Sequence, residues 1–285
     1  MRTWQQQAQS LDAIGYSWRR IAEKLSMPKS TVSDFLRRSK ERIEPSSVIV
    51  PVTDLARFDD IEEDNSRVLV ISDMHIPYNH PGTVDFLGEL KERYSPTRIV
   101  CVGDELDKHA MSFHDSDPDL DSAGVELEKS RKIIKQIEDM FPKMDLIDSN
   151  HGSMVHRKAK HHGIPRHYIK SYNDVLGVGT GWKWHYDLTI MLPDGKPVYF
   201  HHGKAADGLK LSQSMGMSVV QGHYHEKFTT AYWANSLGLY FSMQVGCLID
   251  DDSLAFAYNN TNLKRPIIGT GAIIDGFPVL EPMLL

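Results

Sequence analysis

The run Val219 to His225, VVQGHYH, passes from β-branched residues into His223 and His225, with Gly222 ahead of the first. Residues i and i+2 of a strand share a face, and a glycine at such a place marks a turn or a close backbone approach. An isolated HxH pair is more often two surface histidines than a ligand pair. Here it has company. VLVIS leads to Asp73 and His75, IVCVG to Asp104 and Asp107, DLID to Asn150 and His151, and VYF to His201 and His202. Carboxylates, an amide and imidazoles are metal ligands, and sites in open α/β sheets form outside the carboxyl ends of strands.

The elements that must position these groups follow from periodicity. From Arg67 onward, short β-rich runs alternate with helical patterns: RVLVIS, an amphipathic helix over Gly82 to Tyr94, RIVCVG, a longer helix around Leu127 to Met140 with Ile133, Ile134 and Ile137 inward, and KMDLID. That alternation predicts a parallel sheet with helices on its faces. The β-rich runs WKWHYDLTIML, KPVYFHH, MSVVQGH, KFTTAYWA and LYFSMQV predict a second, mixed sheet packed against the first. Cys101 and Cys247 lie in apolar runs and are expected as reduced core residues.

Charge and histidine divide the chain in opposite senses. The net charge of 285 residues is -6, yet residues 1 to 42 hold nine Lys/Arg against four Asp/Glu, while all fourteen histidines fall between His75 and His225. A small basic end is joined to an acidic body, and the two are expected to do different work. No stretch approaches the roughly 20 apolar residues of a membrane span. The start, MRTWQQQAQS, lacks the apolar core of a secretory signal, so the cytoplasm is the expected location, that of a host cell if the chain is phage-encoded.

The basic end reads as three short helices. Trp4, Ala8, Leu11 and Ile14 line the first, with Gly15 as its stop; Ser17 caps the second, which buries Ile21, Ala22 and Leu25; the third buries Val32 and Phe35 with Leu36 beside them. This apolar skeleton resembles the helix-turn-helix modules of resolvases and sigma-like regulators, with Ser26 where a turn glycine is common. The resemblance implies a DNA-binding third helix that presents Lys29, Ser30, Thr31, Ser33, Arg37 and Arg38 to base edges and phosphates. A trihelical module used for protein contacts is the alternative. Residues 43–66, with an acidic run from Asp59 to Asp64 and a short edge strand expected at Val48 to Val52, form the linker to a domain over 67–285.

In their order, the motifs DMH, GDELD, NH, HG and GHYH resemble those of the calcineurin-like metallophosphoesterases across roughly residues 67 to 250. SNHGSMVHRKAK and LKRPIIG also resemble phosphoesterases encoded by tailed phages. The resemblance implies an α/β fold of four layers, a β-sandwich flanked by helices, with a dinuclear metal centre at the sheet ends. It implies that Asp73, His75 and His225 hold one metal, that Asn150, His202 and His223 hold the other, and that Asp104 bridges them. His202 rather than His201 is the implied ligand because it directly precedes glycine. His151 would face the substrate as the catalytic group, and Asp107 would either orient a ligand or cap the following segment. The chain departs from the family pattern at Ser149, where glycine is usual, at Gly152, where an acid usually follows the histidine, and at Lys108, where arginine is common.

Such a ligand set suits phosphodiester hydrolysis. Two divalent cations lower the pKa of bound water and clamp the attacking and leaving oxygens, and two carboxylates against four metal charges leave a centre that attracts phosphate. Mixed nitrogen and oxygen donors suit Mn²⁺, Fe or Zn²⁺ better than Ca²⁺ or Mg²⁺ without choosing among the three, and Mn²⁺ is the cofactor expected. The expected activity is therefore hydrolysis of a phosphodiester by hydroxide activated at a dinuclear centre, on DNA to which the basic module delivers the active site. Two other functions remain: a phosphatase or phosphodiesterase of a small nucleotide or phosphoprotein, docked through the module, and a DNA-binding regulator with an inactive phosphoesterase domain.

Overall fold

The computed structural model of the chain describes residues 3–13, 17–41, 64–112, 119–253 and 264–284, apart from the side chains of residues 9, 10, 13 and 37–41. Two compact units, Met1–Ala56 and Arg57–Leu285, divide within the expected linker. The edge strand expected at Val48 to Val52 and the stop at Gly15 lie outside the described residues.

The first unit has three helices: α1 (Trp4–Ala13), α2 (Trp18–Leu25) and α3 (Lys29–Glu41). The Ser17 side chain accepts from Arg20 N and so caps α2, which ends on Ser26 in the left-handed conformation, φ 50. Serine thus fills the turn position that glycine usually takes. Ala8, Ile21, Ala22, Val32 and Leu36 form the core. Phe35, expected to be buried, is only partly so and packs edge-on against Trp4 at 5.1 Å, while Leu36 is fully buried.

The second unit is built on two sheets. The first runs in the order β11-β10-β1-β2-β3-β4, with β1 Arg67–Ile71, β2 Arg98–Cys101, β3 Met144–Ile147, β4 Trp182–His185, β10 Gly269–Ile274 and β11 Phe277–Pro282. Strands β1 to β4 are mutually parallel, and β10 joins β1 antiparallel. The second runs β5-β6-β7-β9-β8, with β5 Leu188–Met191, β6 Pro197–His201, β7 Ser218–Gln221, β8 Phe228–Asn235 and β9 Gly238–Val245. It is mixed, β6, β7 and β9 being parallel and the edges antiparallel.

Alternation along β1 divides its side chains between two cores, as a strand covered on both faces requires. Val68 and Val70 point between the sheets and meet Val198, Phe200, Val220 and Met243. Leu69 and Ile71 point outward onto the helices α4 (Thr83–Tyr94) and α5 (Ala123–Met140), against Leu87, Leu90, Ile134 and Ile137. Helix α8 (Gly208–Met215) covers the far sheet through Leu211 on Tyr199 and Val219. The result is the four-layer α/β sandwich flanked by helices that was expected. Each fully buried Val, Leu or Ile contributes about 1.5–3 kcal/mol. Cys101 and Cys247 are both buried and unbridged. Among the described residues no helix is long and apolar enough to cross a membrane.

Two expectations are corrected. WKWHYDLTIML is not one strand of the second sheet: it breaks at Tyr186 and Asp187, β4 closing the first sheet beside β3 and β5 opening the second. Tyr186 is 75% exposed, while Asp187 accepts a hydrogen bond from Tyr199 OH at 3.1 Å. The pair β10–β11 was not anticipated, because the glycines of GTGAII weaken its strand signal. A Cβ on Gly271 would stand 2.8 Å from Val245 Cγ1, so glycine admits the close approach of the sheets.

Candidate metal centre

The ends of β1, β2, β3, β6 and β7 deliver the site. Backbone bonds tie the first two loops together: Asp73 N donates to Gly103 O at 3.0 Å and His75 N to Asp104 O at 2.9 Å. Asp73, His75, Asp104 and His223 all have positive φ, between 47 and 68 degrees. Such conformations are costly outside glycine and persist where the surroundings over-determine them, commonly at functional sites.

The seven side chains read as metal ligands are brought together. Ligand atoms of Asp73, His75 and His225 lie within 4.8 Å of one another, as do those of Asp104, His202 and His223. Asp104 also joins His75 and His151 in a third such group, so it stands between the first two. His225 Nε2 lies 3.2 Å from Asp73 Oδ1. Asp104 Oδ2 lies 3.5 Å from His75 Nε2 and 3.2 Å from His202 Nε2. Asn150 Oδ1 is 2.7 Å from His202 Nε2, which in turn is 3.2 Å from His223 Nδ1.

These donors fit a pair of cations. Asp104 Oδ2 is buried and makes no hydrogen bond among the described residues, while Oδ1 accepts from His151 N at 3.1 Å. Two imidazole nitrogens, of His202 and His223, face each other. The opposite ring nitrogens are anchored: His75 Nδ1 on Asp107 Oδ1 at 2.7 Å and His202 Nδ1 on the Val102 carbonyl at 2.9 Å. A partner on one nitrogen that fixes the ring and aims the other is the usual arrangement of a metal-binding histidine. Of the two roles expected for Asp107, this contact is the one that would orient a ligand.

The field of the centre also favours cations. Burial alone would raise the Asp73 carboxyl, but hydrogen bonds from His225 and His75 and the charge of His202 hold it well below the usual carboxylate range. Asp104 is likewise held low against its burial, by His202, His151 and His75. Burial opposes charge on His202, yet Asp104 and Asp73 bring it up to about 9. His151 is pushed down, first by burial and also by His75, with Asp104 and Asp107 opposing. Two buried carboxylates that stay ionised and draw protons onto their neighbours will attract a divalent cation by the same field.

Small residues and a lysine, which composition did not single out as functional, hold this geometry. A Cβ on Gly222 would lie 1.9 Å from Ser72 Oγ and 2.3 Å from Asp73 Oδ2, and one on Gly203 would lie 2.5 Å from His223 Cβ. Ser149 Oγ accepts from Asp104 N at 3.1 Å and from Gly152 N at 2.9 Å, so serine at this position closes the loop. Lys108, 5% exposed, turns away from the ligands and donates to the carbonyls of His151 at 3.0 Å and Gly152 at 2.9 Å. Gly152 offers no carboxylate to His151, whose Nδ1 instead contacts the Asp107 carbonyl. His201 stays outside the centre, its ring stacked on Tyr199 and its Nδ1 accepting from Gly203 N at 3.1 Å.

The residues proposed to touch DNA lie in the other unit. Lys29, Ser30 and Thr31 are exposed in the first turn of α3, and Ser33 is half-buried, its hydroxyl donating to Ser30 O at 3.0 Å. Arg37 and Arg38 belong to α3, and their side chains lie outside the described residues.

No family model matches the chain, and no curated protein matches it. Solved structures do resemble it. An archaeal phosphodiesterase is 12% identical, with 75% of this chain and 99% of that one covered and a TM-score of 0.41. The phosphoesterase YfcE from E. coli is 12% identical over 72% of this chain and 87% of its own, TM-score 0.39. The nuclease MPE from Pseudomonas putida is 14% identical over 75% and 86%, TM-score 0.33.

Proposed function

We propose that the chain is a metal-dependent phosphoesterase that hydrolyses phosphodiester bonds, and that its substrate is DNA. The observation that carries this reading is the convergence of Asp73, His75, Asp104, Asn150, His202, His223 and His225, from five strand ends, on two adjoining ligand groups that meet at Asp104. Two divalent cations, manganese first among them, would supply Lewis-acid charge for the phosphate and a nucleophile from water at neutral pH.

The chain's own groups do the rest. Asp73, His75 and His225 would hold one cation; Asn150, His202 and His223 would hold the other; Asp104 would serve both. A carbonyl can only accept, so the Asp107 carbonyl fixes the His151 proton on Nδ1 and leaves Nε2 to meet the leaving oxygen. The His151 side chain is 23% exposed and reaches the open side of the site. Protonated, it donates to the departing alkoxide; neutral, it returns for another proton. Asp107 orients His75, and Lys108 holds the loop that carries His151.

The three-helix unit would bring the enzyme to duplex DNA. Lys29, Ser30 and Thr31 stand exposed at the start of α3, where a recognition helix meets base edges and phosphates. The test is a substrate panel with Mn²⁺. Hydrolysis of bis-p-nitrophenyl phosphate and nicking of plasmid, both lost in Asp104→Ala, is the expected result. Nicking, but not hydrolysis of the small diester, should fall in a Lys29→Ala/Thr31→Ala variant. Activity on p-nitrophenyl phosphate alone would sink the diester assignment, and unchanged plasmid nicking in the double variant would remove the role of α3.

A further inference from the structure

The acidic body hides a cationic stretch. Between Asp148 and Asp174 there is no Asp or Glu, but five Lys or Arg, and the stretch begins with Asn150 and His151 themselves. It comprises α6 (Met154–His161) and the turn through Arg166 to Tyr168, and runs into α7 (Tyr172–Leu176). Arg157 Nη2 donates to Asn150 O at 2.7 Å, which ties α6 to the site loop.

Beside this stretch runs an open groove of about 520 Å³, lined among others by His156, Arg166, Lys170, Tyr172, Lys183 and Trp184. Arg166, Lys170 and Lys183 are exposed and make no ion pair among the described residues. The acid in register with Lys183 is Asp145, whose carboxylate is taken by Arg98 and His185, each at 2.7 Å. Three cations therefore line the groove without an ion partner among the described residues.

Aromatic rings supply its second character. The rings of Tyr172 and Trp184 lie 5.3 Å apart and form one wall. Tyr172 is fixed in place: its hydroxyl donates to Asp148 Oδ1 at 3.0 Å and stands 3.1 Å from His156 Nδ1. Trp184 Nε1 has no hydrogen-bond partner among the described residues. Asp148 directly follows β3, two residues before Asn150, so the groove wall and the metal centre share one strand end.

A groove that combines free cations with fixed aromatic faces matches the way unpaired strands are bound, phosphates on Lys and Arg and bases stacked on rings. A duplex keeps its bases stacked on each other and offers none to the rings. We propose that this groove binds an unpaired nucleotide strand, phosphates on Arg166, Lys170 and Lys183 and bases against Trp184 and Tyr172, next to the metal centre. The assignment rests on the phosphodiesterase reading for its purpose, but binding can be read without turnover.

The experiment is fluorescence anisotropy of a labelled thymidine dodecamer on the full chain in EDTA, with excess unlabelled duplex to occupy any duplex-binding surface. An Arg166→Ala/Lys170→Ala/Lys183→Ala variant should bind at least ~10-fold more weakly. Its plot of log affinity against log salt should flatten by about 2, since each phosphate contact on a single strand contributes about 0.7. An abasic dodecamer should bind wild type at least ~5-fold more weakly, which tests stacking without altering the protein. Equal affinity of variant and wild type, competition by duplex, or thymidine monophosphate binding as tightly as the dodecamer would each overturn the proposal. Hydrolysis of the small diester with Mn²⁺, measured separately, reports on the phosphodiesterase reading alone.

Discussion

Asp107 Oδ1 lies 2.7 Å from His75 Nδ1, and this contact turns the other ring nitrogen to within 3.5 Å of Asp104 Oδ2. The carboxylate thus sets both the tautomer and the aim of His75. The same residue's carbonyl holds His151, so one turn of backbone positions both imidazoles.

Asp107→Ala should therefore weaken metal binding by about 10- to 100-fold, the usual cost of losing such a partner. Asp107→Asn should fall between, because its amide oxygen still accepts from Nδ1. Competition against a chromogenic chelator measures both. An unchanged metal affinity in Asp107→Ala would show that His75 is held by other contacts.

Lys108 makes a different prediction. Lys108→Met keeps the stem and removes the ammonium, so the carbonyls of His151 and Gly152 lose their donor. Leaving a buried acceptor unsatisfied costs about 1–3 kcal/mol. The urea midpoint should fall accordingly, and kcat on a small diester should drop more than KM rises, because the loop carrying His151 loosens while the proposed metal ligands stay in place. A loss confined to stability would leave Lys108 a structural residue only.

The convergence of these side chains was legible in the sequence because each follows an apolar run that reads as a buried strand. What was not legible depends on backbone conformation and rotamer. Lys108 occupies a left-handed position, φ 56, that residue type does not announce, and this conformation turns its side chain under the loop. Spacing alone did not show that the Asp107 side chain reaches His75, a contact that depends on its rotamer. The strands β10 and β11 escaped because Gly269 and Gly271 serve close sheet packing, and glycine reads as turn. The break between β4 and β5 escaped because Tyr186 and Asp187 continue the alternation of their neighbours while the chain crosses between sheets.

Gly222 is the position where a single methyl group should do most damage. Its Cβ would fall on Ser72 Oγ and Asp73 Oδ2, both fixed in the β1 loop. Ser72 is 0% exposed and has no room to retreat. Gly222→Ala should destabilise the fold by about 1–3 kcal/mol, the cost of overpacking, and should displace Asp73 from His223 N, which it now accepts at 2.8 Å. Metal content after dialysis should fall with the melting temperature. A variant with wild-type metal content would mean that the two loops shift apart without disturbing the ligands.

Glu126 gives a pH-dependent test away from the ligands. It sits in α5, 3% exposed, and its Oε2 is 3.5 Å from Ala110 N. Burial, then the charge of Asp107, pushes its carboxyl from an ordinary 4.5 up to about 7. The folded protein therefore holds this proton more tightly than the unfolded chain does. By linkage, the native state binds more protons in that interval, so this residue's contribution to stability declines as pH rises from about 4.5 through 7 and is constant above. Glu126→Gln keeps an acceptor for Ala110 N and carries no charge. It should raise stability at pH 8 by something on the order of 2 kcal/mol, with the gain shrinking toward pH 4.5. Urea unfolding of wild type and variant at the two pH values decides the matter: the same difference at both would mean that Glu126 is already ionised, and solvated, in the folded protein at the lower one.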